Sequence, residues 1–147
     1  MKSRTLFFIA IGLLILGVAL FTFAARSQEL VQATPATVTR DCAPWDGSAF
    51  TVSIPMEAGD SINVSIWQAP DIKLPVTFSF PDNTGQVGNA SYQLTSGEYE
   101  QLSGTVFFQR VAEGSPLEGK FELVTETGQR FEGQFKAEWK DQFVMCG

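Results

Sequence analysis

The chain has 147 residues, 44% of them apolar, and carries a formal net charge of −6 with a sequence pI near 4.5. It contains two cysteines and no histidine. Without histidine, Ser-His-Asp and Cys-His catalysis and the usual zinc sites are excluded, and the excess of acid argues against nucleic acid as a partner.

The first element is the uncharged run Leu6 to Ala24, LFFIAIGLLILGVALFTFA. As a helix rising about 1.5 Å per residue it spans roughly 28 Å, close to the hydrocarbon core of a bilayer. Lys2 and Arg4 precede it, and positive charge before a first span keeps the N-terminus in the cytoplasm. The run is longer than the core of a typical signal peptide, so the preferred reading is an uncleaved signal-anchor over residues 1–25, with the membrane as a partner through this helix. Cleavage near Thr22-Phe23-Ala24, giving a secreted domain, is the alternative. Both readings place the remainder outside the cytoplasm.

Residues 26–40, RSQELVQATPATVTR, are polar and broken by Pro35, and read as a tether whose end could join a first strand. Residues 41–147 are enough for one small domain. They hold six lysines and arginines against fifteen aspartates and glutamates, a net of −9. Cys42 and Cys146 stand at the two ends of this domain. In an oxidising compartment they are expected to pair, closing a loop of about 100 residues.

From Ala43 onward apolar residues alternate with polar ones, with turn residues between the runs. Asp46-Gly47 is a turn. Ser48–Ile54 places Phe50, Val52 and Ile54 on one face, and Ser61–Gln68 does the same with Ile62, Val64 and Ile66. Leu74–Phe80 carries Pro75 on its polar face, which suits an edge strand or a strand start. Short strands follow at Ala90–Leu94, Gly104–Val111, Gly119–Thr125 and Arg130–Trp139, and Gln142–Cys146 closes the chain as another. Thr127-Gly128-Gln129 reads as a tight hairpin, and Gly133 within its strand as a bulge or a close backbone approach. The expected fold is all-β: a single antiparallel β-sandwich of about eight strands, with a small closed β-barrel as the alternative.

Few residues suggest chemistry. There is no phosphate-binding or dinucleotide-binding glycine motif. A carboxylate pair of the glycoside-hydrolase kind is the remaining enzymatic reading. Asp82 and Asn83 could supply calcium oxygens, but a turn explains them equally well, so no metal, cofactor or catalytic residue is assigned. Asn63-Val64-Ser65 and Asn89-Ala90-Ser91 match glycosylation sequons. Trp139 is in phase with a buried face and belongs to the core. Trp67 is out of phase with Ile62, Val64 and Ile66, so either it is exposed or its strand is buried on both faces, and it is the best candidate ligand contact. Trp45 is the second, although packing near the cysteines would also account for it. The expected function is a membrane-tethered, extracytoplasmic binding domain for an unknown protein or glycan. The alternative is a structural subunit of a cell-envelope assembly, which a long exposed edge near Leu74–Phe80 would favour.

Overall fold

The computed structural model describes residues 33–68, 75–111 and 114–147. The expected span Leu6–Ala24, the first part of the expected tether, and Leu74 lie outside the described residues.

Eight strands form the domain: β1 (Thr34–Cys42), β2 (Ser48–Pro55), β3 (Ser61–Ile66), β4 (Val76–Phe80), β5 (Gly88–Gln93), β6 (Tyr99–Arg110), β7 (Leu117–Thr125) and β8 (Arg130–Trp139). Seven of them close into a barrel in the order β6-β5-β3-β2-β1-β8-β7, with β7 pairing back to β6. Neighbours are antiparallel except β1 and β8, which run parallel from Thr34↔Phe135 to Val38↔Trp139. The architecture is therefore the closed barrel, and the two-sheet sandwich expected first is not formed. The physical reason is the use of β1, whose two edges are taken by β2 and β8, so that the first and last strands join and leave no separate sheets.

Strand β6 makes the closure work by changing partners along its length. Its first residues, Tyr99–Gln101, pair with β5, and Gly104–Phe108 pair with β4. Its other side pairs with β7 from Leu102 to Arg110, with a bulge between Phe108 and Arg110. Gly104 sits at the change of partner, with φ +136, and a Cβ there would stand 2.1 Å from the Glu122 carbonyl oxygen. Only glycine lets the two backbones approach this closely at a barrel corner. Gly104→Ala is expected to lose about 1–3 kcal/mol through strain at that corner, read as a lower urea midpoint with an unchanged slope.

Gly133 was expected to mark a bulge or a close approach. The β7–β8 register runs through it unbroken, opposite Phe121, and a Cβ on Gly133 would lie 2.9 Å from the Phe121 ring. Gly119, opposite Phe135, is covered by the Phe135 ring in the same way. Each phenylalanine thus fills the space left by the glycine across from it.

Two boundaries differ from expectation. Residues 34–40, read as the end of the tether, are part of β1, where Ala36 and Val38 face the core. The C-terminal run Gln142–Cys146 forms no strand. It is a strap along β1, held by Lys140 N–H donating to Val38 O (2.8 Å) and Arg40 Nη1 donating to the Gln142 carbonyl (3.2 Å). The expected disulfide Cys42–Cys146 secures its end. The interior is filled with side chains: Phe50, Phe108, Phe135, Ile54, Ile62 and Leu117 are among those fully buried. Each contributes roughly 1.5–3 kcal/mol of hydrophobic stabilisation, and they occupy the space a ligand would need inside the barrel.

Candidate functional site

With the interior packed, the candidate site lies on the outer surface, and strand phase decides what that surface carries. Residues pointing into the core on β1, β2, β3 and β5 include Val38, Val52, Val64 and Ala90. The alternate positions point outward: Thr37 and Thr39 on β1, Thr51 and Ser53 on β2, Ser61, Asn63 and Ser65 on β3, and Asn89, Ser91 and Gln93 on β5. The register aligns them in rows across the strands. One row is Thr37–Ser53–Asn63–Ser91–Gln101, ending on β6, and the next is Thr39–Thr51–Ser65–Asn89.

These side chains hydrogen-bond among themselves. The Thr51 and Ser65 hydroxyls lie 2.8 Å apart. Asn63 Nδ2 donates to Gln93 Oε1 at 3.0 Å and to Ser61 Oγ at 3.3 Å. Thr51 Oγ1 also lies 3.0 Å from Asp41 Oδ2, and Asp41 is the one charged residue at an outward position of β1 to β5. The opposite wall is different. The outward positions of β7 and β8 carry Glu118, Lys120, Glu122, Arg130, Glu132, Lys136 and Glu138. Arg110, exposed after the β6 bulge, pairs in register with Glu118. Charge is thus segregated to one wall of the barrel, and the other is a neutral surface of hydroxyls and amides.

The two tryptophans singled out from the sequence meet at one end of the neutral wall. Trp67 follows β3 in the outward phase of Ser61, Asn63 and Ser65, is half-buried, and donates its backbone N–H to Val87 O at 2.8 Å. Trp45 lies in the turn between β1 and β2 and packs edge-on against Trp67, with ring centroids 5.9 Å apart and planes at 87°. The turn is closed by Asp46 N–H to Ala43 O (2.9 Å) and Ala43 N–H to Gly47 O (2.8 Å). Asp46 takes the left-handed conformation, φ 63, which aspartate tolerates. The Trp45 indole lies close over Gly47, where a Cβ would be 2.8 Å from Nε1. It nevertheless remains 52% exposed, which leaves ring surface available to a ligand. Trp139, expected in the core, is partly buried and packs against Phe50 at 6.2 Å.

The sequence reading missed the neutral wall, although its signal was present. Outward positions on the runs at 48–54 and 61–68 carry short uncharged polar side chains, but their union into one surface depends on the register of strands far apart in the chain. Both sequon asparagines, Asn63 and Asn89, stand on this wall. Of the carboxylates, Glu122 and Glu132 face each other in register on the charged wall. Both are exposed beside a shallow hollow of about 220 Å³, without the enclosure that would hold a sugar ring between them. Asp82 accepts hydrogen bonds from Thr84 Oγ1 and from the Gln86 N–H (3.3 Å), the bonding of a turn, which holds its carboxyl below the usual range. No group of three or more potential metal-ligating carboxylates or cysteines occurs among the described residues.

At the opposite end of the barrel Asp60 ties two turns together. It accepts from Tyr92 Oη at 2.6 Å, from Thr95 N–H at 2.9 Å and from Thr95 Oγ1 at 2.8 Å. The Tyr92 bond, followed by those from Thr95, lowers the Asp60 pKa from its ordinary 3.8, and the same contact raises that of Tyr92 above its ordinary 10.0. A lowered carboxyl pKa stabilises the fold above the unfolded value and ceases to do so as pH falls through the folded one. Wild type is therefore expected to be more stable than Asp60→Asn at pH 7. The gap between their thermal midpoints should close as pH drops below 3.8.

No protein-family model, curated protein or solved structure matches the chain.

Proposed function

We propose that the chain is a membrane-tethered, extracytoplasmic binding module. It engages its partner through the outer wall of β1, β2, β3 and β5 together with the Trp45–Trp67 corner. The observation that carries this reading is the segregation of charge. An acidic domain would be expected to distribute charge over every solvated strand, and here the outward positions of four adjacent strands hold only Asp41. A broad uncharged surface rimmed by an exposed indole suits contact better than solvation. A non-enzymatic role accords with the packed interior and with the open surroundings of Glu122 and Glu132.

Export is supported by the disulfide, because such bonds persist in oxidising compartments. The tether joins the barrel at the start of β1, and Trp45 lies beyond the other end of that strand. Nine extended residues separate them by about 30 Å, so the Trp corner is well removed from the point where the tether joins.

The test is site-specific photo-crosslinking in the full membrane-bound chain. A photoreactive residue at Ser65 is expected to yield an adduct, and one at Glu132 on the charged wall to yield none. Adducts from Glu132 alone, or from neither position, would contradict the reading.

A further inference from the structure

We infer that the ligand of the neutral wall is an uncharged polysaccharide, lying across the hydroxyl and amide rows with a sugar ring stacked on Trp45. This rests on the binding reading above and adds the chemical class of the ligand.

Charge is the first argument. Residues 41–147 carry a net of −9, so a polyanion is repelled at long range. It meets no cation at the outward positions of β1 to β5, Arg40 being in phase with the core-facing Ala36 and Val38 and bonded to the strap at the Gln142 carbonyl. A polycation would be drawn instead to the carboxylates of β7 and β8. A neutral chain suffers neither effect.

The second argument is composition. Protein interfaces depend on large apolar or aromatic anchors at their centre. The outward positions of β1, β2, β3 and β5 hold no Leu, Ile, Met or Phe, and the tryptophan pair lies at the edge. What the wall does offer is a dense set of groups that both donate and accept. A hydroxyl has one donor and two acceptor sites, so Thr51 and Ser65, bonded to each other, still have capacity for a ligand. Asn63 spends its amide hydrogens on Gln93 and Ser61 and keeps its carbonyl oxygen for a sugar hydroxyl.

The third argument is shape. The row Thr37–Ser53–Asn63–Ser91–Gln101 crosses five strands in four steps, and at about 4.8 Å per step it is about 19 Å long. That length suits an extended polymer better than a single sugar. At the Trp corner, the C–H face of a pyranose buries apolar surface against the exposed Trp45 indole.

The test is affinity electrophoresis of the full chain in a polyoxyethylene detergent. The gels contain hydroxyethylcellulose, laminarin or galactomannan as neutral polymers, and polygalacturonate or chitosan as charged ones. At least one neutral polymer is expected to retard the protein, and neither charged polymer should. Trp45→Ala and Ser91→Lys should each weaken the retardation tenfold or more while preserving the far-ultraviolet circular dichroism and the unfolding midpoint. Glu132→Gln, on the charged wall, should leave it unchanged. Retardation by no neutral polymer, preference for a charged one, or neutral binding indifferent to both Trp45→Ala and Ser91→Lys would overturn the inference. A protein adduct at Ser65 in the photo-crosslinking experiment would also overturn it, while leaving the binding reading standing. Failure of both experiments would withdraw both.

Discussion

Replacing Cys42 and Cys146 together by serine is expected to lower the unfolding free energy by up to about 4–5 kcal/mol, one of the two largest effects foreseen. The bridge joins residues 104 positions apart, the last residue of β1 and the end of the strap after β8. Loop-closure entropy for a ring of about 100 residues is worth roughly 4.7 kcal/mol in the unfolded chain. The folded state loses something as well. The strap after β8 is otherwise held at its start by Lys140 N–H to Val38 O and Arg40 to the Gln142 carbonyl. Phe143 and Met145, 84% and 79% exposed, contribute little packing to keep it in place. Urea unfolding under non-reducing conditions should show the loss, and reducing the wild type should reproduce it. A shift of only a few tenths of a kcal/mol would mean that β1–β8 pairing closes the barrel unaided.

Phe108→Ala carries the other large effect, a loss of about 3–5 kcal/mol. Phe108 is fully buried and stands at the centre of an aromatic cluster. It packs edge-to-face with Phe50 at 5.9 Å, Phe78 at 5.7 Å and Phe135 at 5.8 Å. These rings come from β2, β4, β6 and β8, so one side chain links strands from opposite sides of the barrel. Truncation opens a cavity that four strands would have to move to fill. Against a typical domain stability of about 5–15 kcal/mol, this is a large fraction. Chemical denaturation of the two proteins side by side measures it. A loss below about 1 kcal/mol would mean that the cluster repacks, and that the interior is looser than described.

Strands with one face in the core and one in water were legible from alternation. Arg130–Trp139 is β8 as read, and β2 and β3 begin where expected, because Phe50, Val52 and Ile54, and likewise Ile62, Val64 and Ile66, enter the core in period two. Strand β1 was harder to see, since only Ala36 and Val38 within residues 34–40 are buried and Pro35 masks the rest. Pro35 is tolerated because it lies at the start of the strand, before the pairing with β2 begins at Thr37. The first residues of β6 were hidden for a related reason, because Leu102 is the one buried apolar side chain before Gly104. The strap after β8 alternates like a strand, but Phe143 and Met145 face solvent, and alternation alone cannot distinguish the two cases.

Barrel closure was legible only as the alternative to a sandwich, because the choice depends on β1 meeting β8, about a hundred residues away, and local pattern carries no record of that pairing. The candidate site divides in the same way. That Trp67 points outward followed from its phase against Ile62, Val64 and Ile66. That Trp45 packs against it, and that the neutral positions of four strands make one wall, follows from pairings β1–β2, β2–β3 and β3–β5. The proposed edge role also bears on the envelope-subunit alternative. Strand β4 pairs only with β6 among the described residues, yet it is five residues long, a short edge for templating assembly.

The arrangement proposed is a disulfide-closed barrel held outside the cytoplasm on an uncleaved anchor, and intact mass of the natively expressed, membrane-extracted protein tests it most directly. The protein is measured with and without reductant before thiol alkylation. The account predicts a full-length mass that takes up no alkylating group until reduction and two groups after it. Two free thiols on the unreduced chain, or a mass shortened by the N-terminal apolar segment, would contradict it.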